Sequence, residues 1–269
     1  MCPLGIFPRH TEGRIFMYDL QKAAFSKRIS AFLFDIIIFS IVAVGFMLII
    51  ATVTGYDGQI EKYQAHYDRY AAEYGIDKDI TTEEFDKLTK EEQDKYREVD
   101  RLFQNDPEVF RDYKLLINLT VLAVSIGLFL SFMVLEFAVP LFFGNGQTLG
   151  KKIFAVGVMR VDGVRITPPL VFVRGILGKY TVEVMVPLFI VFMMFIGLVG
   201  IIGLGVLAMM AVLEIALVIG TKTNSFIHDA LSQTVTVDLP SQMIFESTEA
   251  LIEYKKRIHA EEAQRAQYR

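Results

Sequence analysis

Apolar residues fall in long unbroken blocks along the chain instead of alternating with polar residues. A soluble protein of 269 residues would spread its apolar residues with a period of about 2 or about 3.6. The first block opens with Lys27–Phe39 and continues to Val53, long enough for a helix of about 20 residues to span a bilayer. It is too long and begins too late for a signal peptide. The pattern therefore predicts an all-α integral membrane protein.

The last apolar region, Leu170–Ile219, is too long for one span of about 20 residues. Glycines between Gly197 and Gly205 predict a bend, with spans at 172–196 and 201–219. One long tilted helix or a re-entrant pair is the alternative, with three spans in total. The predicted order is a lead at 1–28, span one at 29–54, an insert at 55–114, span two at 115–143, a loop at 144–171, spans three and four in 172–219, and a tail at 220–269.

The insert at 55–114 has ten Lys/Arg and seventeen Asp/Glu, a net charge of 10 − 17 = −7. Tyrosines recur at helical spacing, and they predict one face of a helix that either packs against a neighbouring helix or binds a ligand. They are Tyr63, Tyr67, Tyr70 and Tyr74. Capping patterns predict three helix starts: Thr81 or Thr82 before Glu84, Thr89 before Glu92, and Asp106 before Pro107. We interpret the insert as a helical hairpin whose last helix continues into span two.

Positive charge is concentrated on one side of the predicted bundle. The lead up to Arg28 has five Lys/Arg against two acids, and 144–180 has six against one. The positive-inside rule places both termini and the 144–171 loop in the cytoplasm and the insert outside. In that loop, alternating residues over Ile153–Val161 and Val164–Thr167 predict a β-hairpin with a type I′ turn, to which Thr234–Val237 adds a third strand.

Ionisable residues interrupt the apolar spans, although an ionised Asp at the bilayer centre costs roughly 2.5–3.5 kcal/mol. The orientation places all of them in the inner half of the bilayer: Asp35, Glu136, Arg174, Lys179, Glu183 and Glu214. We hypothesise that Asp35 pairs with Arg174. The alternatives are a pair with Lys179, or a proton that Asp35 shares with Glu136 or Glu214.

Five segments resemble the RDD family of bacterial membrane proteins, which is named for an arginine and two aspartates. They are Arg28 with Asp35, Gly146–Lys152, Val161–Gly163 with Arg174, Phe226–Asp229, and Thr234–Val237. The third signature residue is Asp229, with Asp162 as the alternative. The resemblance does not extend to the insert. It implies a multi-pass protein of the bacterial plasma membrane, with cation/proton exchange as one proposed activity.

The sequence does not contain the residue patterns of a phosphate-binding loop or a metal site. The loop at 144–152 has Asn145 where a phosphate loop needs glycine, and Lys152 where it needs Ser or Thr. The four histidines lack metal-ligand spacing, and His228-Asp229 are adjacent, so their side chains are expected to point in different directions. Cys2 is the only cysteine. We predict no cofactor, no metal, no nucleic-acid binding and no enzymatic activity.

Two functions remain open. The first is transport of a small ligand, a monovalent cation or a proton through the charged residues of the spans. Four spans are few for a complete transporter, so this hypothesis implies a homo-oligomer or a partner subunit in the bilayer. The second is a membrane scaffold or accessory protein that binds a partner through the acidic insert or the tail.

Overall fold

The computed structural model of the protein describes residues 20–267. Within that range, four helices are long and apolar enough to cross a membrane, the number that the four-span prediction requires. The bend before the fourth is made by Gly197 and Gly200, whose φ angles of 78° and 45° suit glycine. The four helices are Phe25–Thr54, Pro107–Phe143, Pro168–Phe195 and Gly200–Gly220.

The chain divides into two compact units, with a boundary inside the first spanning helix. One unit is Phe34–Ala138, and the other contains the residues up to Leu33 together with Val139 onward. The unit Phe34–Ala138 is built mainly of five helices, the first of which is shared with the other unit. They are α1 (Phe25–Thr54), α2 (Tyr56–Tyr74), α3 (Thr82–Phe85), α4 (Lys90–Asn105) and α5 (Pro107–Phe132).

The insert is helical, and α3, α4 and α5 begin at the predicted caps. Thr81 and Thr89 each form a capping box, with Glu84 and Glu92 respectively. Asp106 caps α5 by accepting the backbone N–H of Glu108 at 2.8 Å. The tyrosine face packs within the insert, because Tyr63, Tyr67 and Tyr70 all lie against the ring of Phe103, with centroids 5.3–5.7 Å apart.

Beyond the insert, α5 continues as a spanning helix and packs on the second half of α1. Gly127 makes this approach close, since a Cβ there would lie 2.6 Å from the side chain of Met47. The rings of Phe39 and Phe132 meet edge to face with centroids 4.7 Å apart. The helix then widens into a π-helical segment, π1 (Met133–Ala138), which contains Glu136.

The second unit combines short helices, two spans and a small sheet. Its elements after α1 are α6 (Val139–Phe143), α7 (Leu149–Ile153), β1 (Val156–Arg160), α8 (Pro168–Phe172), the π-helical segment π2 (Val173–Met185), α9 (Val186–Phe195), α10 (Gly200–Gly220), α11 (Ile227–Leu231), β2 (Thr234–Asp238) and α12 (Thr248–Gln267).

A two-stranded antiparallel sheet confirms the small β structure, but its strands differ from the predicted hairpin. β1 pairs with β2, with Val158 opposite Thr236. The segment after β1 forms a single bridge with that strand, Met159 to Arg165, and a second, parallel bridge from Val164 to Phe245. The turn before that segment has a positive φ only at Gly163, so it is not of type I′. The regular partner of β1 is the distant strand because Met159 packs there against Val235 and Val237 in a buried core.

Candidate functional site

The π-helical segment π2 turns two charged side chains toward the same neighbour. In an α-helix of about 100° per residue, Arg174 and Glu183 would lie about 180° apart. A π-helix has i→i+5 hydrogen bonds and about 4.4 residues per turn, so the same nine positions bring the two side chains to within about 20°. Both therefore reach His228 on α11.

The start of α11 gathers three carboxylates, which come from different elements. The backbone N–H of Ile227 donates to Glu214 of α10 at 3.3 Å, and that of His228 donates to Glu183 of π2 at 2.8 Å. Asp229 of α11 itself accepts the N–H of Phe226 at 3.5 Å. These contacts fix α11 against both spanning helices, because the free N–H groups at a helix start attract negative charge.

His228 is buried, and its neighbours decide which ring nitrogen holds the hydrogen. Its Nε2 lies 3.0 Å from Nη2 of Arg174, which can only donate, so Nε2 accepts. Nδ1 therefore has the hydrogen and donates it to Glu183, whose two oxygens lie 2.8 and 2.9 Å away. Burial lowers the pKa of His228 well below its ordinary value, and the positive charge of Arg174 lowers it further, so the ring is neutral.

Asp229 is almost completely buried and lies between two guanidinium groups. Its Oδ1 accepts from Nη2 of Arg174 at 2.7 Å, and its Oδ2 lies 3.8 Å from Nη2 of Arg28. Arg28 also donates to the carbonyl of Asn224 at 3.0 Å and lies over the ring of Phe226. The start of α1 is thereby tied to the link between α10 and α11.

Gly178 allows α11 to approach π2 this closely. A Cβ at Gly178 would lie 2.6 Å from Cβ and 2.7 Å from Cα of His228. Contacts that short do not occur between real atoms, and the backbone of α11 would have to move. We call the six side chains joined in this way the charge cluster: Arg28, Arg174, Glu183, Glu214, His228 and Asp229.

The other predicted site residues lie elsewhere or act at longer range. Asp162 sits in the turn after β1, where it pairs with Arg160 and caps Val164, so it is not part of the charge cluster. Lys179 lies on π2, and its positive charge helps to lower the pKa of His228. Asp35 and Glu136 belong to the other unit, and the hypothetical pair of Asp35 with Arg174 stays a prediction.

His228 is the cluster member that sequence reasoning missed. The prediction that adjacent side chains point apart was wrong here, because Nη2 of Arg174 contacts both His228 and Asp229. A short five-residue helix with its start against π2 turns both side chains toward one guanidinium. The signal in the sequence was the placement of His228 inside the segment Phe226–Asp229, next to a signature residue.

The fold and the charge cluster define a helical membrane protein whose spanning helices position buried ionic groups. A family model matches residues 22–233 and is described as the RDD family. The match covers more than three quarters of the chain, and the chain belongs to this family. No curated protein and no solved structure matches it.

Proposed function

We propose that this RDD-family protein transports a small ligand or a monovalent cation across the bacterial plasma membrane, in exchange for protons. The observation that supports this most directly is the charge cluster, which joins residues of three spanning helices to α11. Buried charges at the ends of spans are costly and typically mark ion or proton pathways.

The hydrogen bonds of the cluster also suit transport. Arg174 has a buried Nε that makes no hydrogen bond within the described part of the chain. Buried polar groups are nearly always satisfied, and an unsatisfied N–H donor often marks the place of a water molecule or of a ligand that can accept a hydrogen bond. The long π-helical segment supports the same function, since π-helices are rare and frequently lie at functional sites.

The test is ion flux in proteoliposomes that hold the purified protein, with imposed gradients of Na⁺, K⁺ and pH. We expect flux in the wild type and its loss in Asp229→Asn and Asp35→Asn. Asp162→Asn is the matched control, because Asp162 lies in a partly exposed turn and should leave flux unchanged. Absence of flux under every gradient would overturn the transport function.

The proposed orientation has both termini in the cytoplasm and the insert outside. It rests on the excess of Lys/Arg next to the spans and the net charge of −7 in the insert. A cysteine at Lys87→Cys, in a Cys2→Ser background, should react with an impermeant thiol reagent in intact cells. Reaction only after lysis would reverse the orientation.

The scaffold function is the second candidate, and the pairing of the cluster favours it. Asp229, Glu183 and Glu214 all accept hydrogen bonds, as they would in a purely structural lock. A scaffold would bind its partner through the insert or through the tail. If it uses the insert, replacing 60–105 with a short Gly/Ser linker should abolish partner binding, and flux should be absent with or without the linker. For a transporter the same replacement should preserve flux. We expect a homo-oligomer or a partner subunit in either case.

A further inference from the structure

The buried His228 and the half-buried Glu183 form a hydrogen-bonded dyad in which only one atom is well placed to take up a proton. We propose that this dyad is the proton-binding site of the protein, with the proton bound on Oε2 of Glu183 while His228 stays neutral. The inference rests on the proposed function, because it states where the exchanged proton binds.

The two oxygens of Glu183 differ in the donors they meet. Oε1 accepts the backbone N–H of His228 at 2.8 Å and lies 2.8 Å from Nδ1. Oε2 lies 2.9 Å from the same Nδ1, which has one hydrogen to share between both oxygens. Oε2 thus keeps lone pairs for a proton, and a neutral Glu183 would still accept both N–H groups through Oε1.

The imidazole is a poor place for the same proton. A hydrogen on Nε2 would point at Nη2 of Arg174, 3.0 Å away, and set two donors against each other. Oδ2 of Asp229 lies 3.7 Å from Nε2, too far for a good hydrogen bond. Further positive charge reaches the ring from Lys179 of π2, Lys151 of α7 and Arg28 of α1, and it opposes an imidazolium.

A metal cation fits the dyad less well than a proton. Hard cations take about six oxygen ligands. Here Asp229 is held by Arg174 and Arg28, and Glu214, which faces the dyad from α10, accepts the N–H of Ile227. Among residues 20–267, no three His, Cys, Asp or Glu side chains are grouped to hold a metal ion. A proton needs one lone pair, which Oε2 supplies.

Proton uptake at this site is a simple acid–base step. An O–H bond of hydronium breaks, an O–H bond forms at Oε2 of Glu183, a water molecule is left, and the charge of the dyad changes from −1 to zero. The attraction of Glu183 to Lys179 then weakens, while its contacts to α11 remain. Release of the proton reverses the step. The protonation of Glu183 therefore follows the proton concentration on the side of the membrane from which water reaches the dyad.

The test is solid-state NMR of the full-length protein in liposomes, with nitrogen-15 in histidine and carbon-13 in glutamate. His228→Gln identifies the signals of His228 among the four histidines. We expect the ring to stay neutral, with its hydrogen on Nδ1, from about pH 9 down to about pH 5. A free histidine, by contrast, takes up its proton near pH 6.5. Within that range the Nδ1 signal should shift once, together with a glutamate carboxyl signal.

The variants separate Glu183 from its neighbours. Glu183→Gln should abolish the coupled shift and keep the hydrogen on Nδ1, because the amide oxygen still accepts it. Glu214→Gln is the matched control and should retain the shift. Hydrogen on Nε2, an imidazolium above about pH 5, or a shift that survives Glu183→Gln would each overturn the proton site. If Glu183→Gln fails to fold, the wild-type titration decides the case: the coupled shift supports the proton site, and its absence overturns it.

Failure of this inference is distinguishable from failure of the proposed function. Flux that persists in Glu183→Gln would leave transport intact and remove the dyad from the proton pathway. A coupled shift in the NMR titration without flux would leave the proton site intact and remove transport.

Discussion

The insert and the charge cluster are both rich in ionic groups but use them differently. In the insert several pairs are exposed and local, as in Arg101 with Glu98 at 2.8 Å, three residues apart. In the cluster the pairs are buried and distant in sequence, as in Arg174 with Asp229 at 2.7 Å. Water screens the first kind, so each pair contributes little. The second kind is expensive to break, because a lost partner leaves a charge in an apolar surrounding.

The largest expected effect comes from breaking the buried pair. Arg174→Gln and Asp229→Asn should each lower the free energy of unfolding by roughly 3–5 kcal/mol, since each leaves the other charge without its partner. The double variant should lose less than the sum of the two. Thermal unfolding in detergent measures the cycle.

The exposed pair supplies the control for that cycle. Arg101→Gln with Glu98→Gln should change stability by about 0–1 kcal/mol and show almost no coupling. Equal coupling in the exposed and the buried cycle would contradict the contrast between insert and cluster.

Gly178→Ala is expected to have the next largest effect. The added Cβ would collide with Cα and Cβ of His228 and push α11 away from π2, at a cost of about 1–3 kcal/mol. Gly205→Ala on α10 is the matched control, because a Cβ there meets nothing within 4 Å. It should be neutral or stabilise the helix by up to about 1 kcal/mol. Melting temperatures of the two variants compare them directly.

The pH dependence of stability should reveal the neutral His228. The pKa of His228 is lowered in the folded state. Below about pH 6.5 its ring therefore binds a proton in the unfolded chain but not in the folded chain. The contribution of His228 to stability should therefore fall as the pH drops through that value, by at most about 1.4 kcal/mol per pH unit, while proton uptake by Glu183 acts in the opposite direction.

A suitable pair of variants isolates this contribution. Glu183→Gln removes the neighbouring carboxyl from the titration, and the fall should disappear when His228→Gln is added. A pH profile that does not change on adding His228→Gln would show that the ring is not held neutral by its surroundings.

The smallest expected effect is in the insert. Thr89→Ala removes one capping box and should cost about 1 kcal/mol of local stability. It also removes the hydrogen bond from the Thr89 hydroxyl, the largest cause of the lowered pKa of Glu92, while the bond from the backbone N–H at position 89 remains. The stability of the variant should therefore depend less on the ionisation of Glu92 as the pH falls below about 4.3. Hydrogen exchange of α4 measures the change. An equal effect on the exchange of π2 would contradict the local character of the insert.

Much of the fold follows from the sequence because its causes are local. The four spans follow from apolar length, which the bilayer thickness requires. The bend at Gly197 follows from residues that tolerate a positive φ. The caps at Thr81, Thr89 and Asp106 follow from side chains that accept N–H groups two or three residues ahead.

Tertiary structure alone decided the strand partner of β1 and the membership of the charge cluster. β1 had two candidate partners of similar composition, and burial of Met159 against Val235 selected the distant one. The cluster depends on π2, since an α-helix would turn Arg174 and Glu183 to opposite sides. The π-helical widening depends on the elements that pack against that helix. The close approach of Gly178 to His228 joins residues far apart in the chain, and hydrophobic periodicity does not predict such a contact. The sequence by itself determined which charges enter the membrane spans, and packing determined which of them meet.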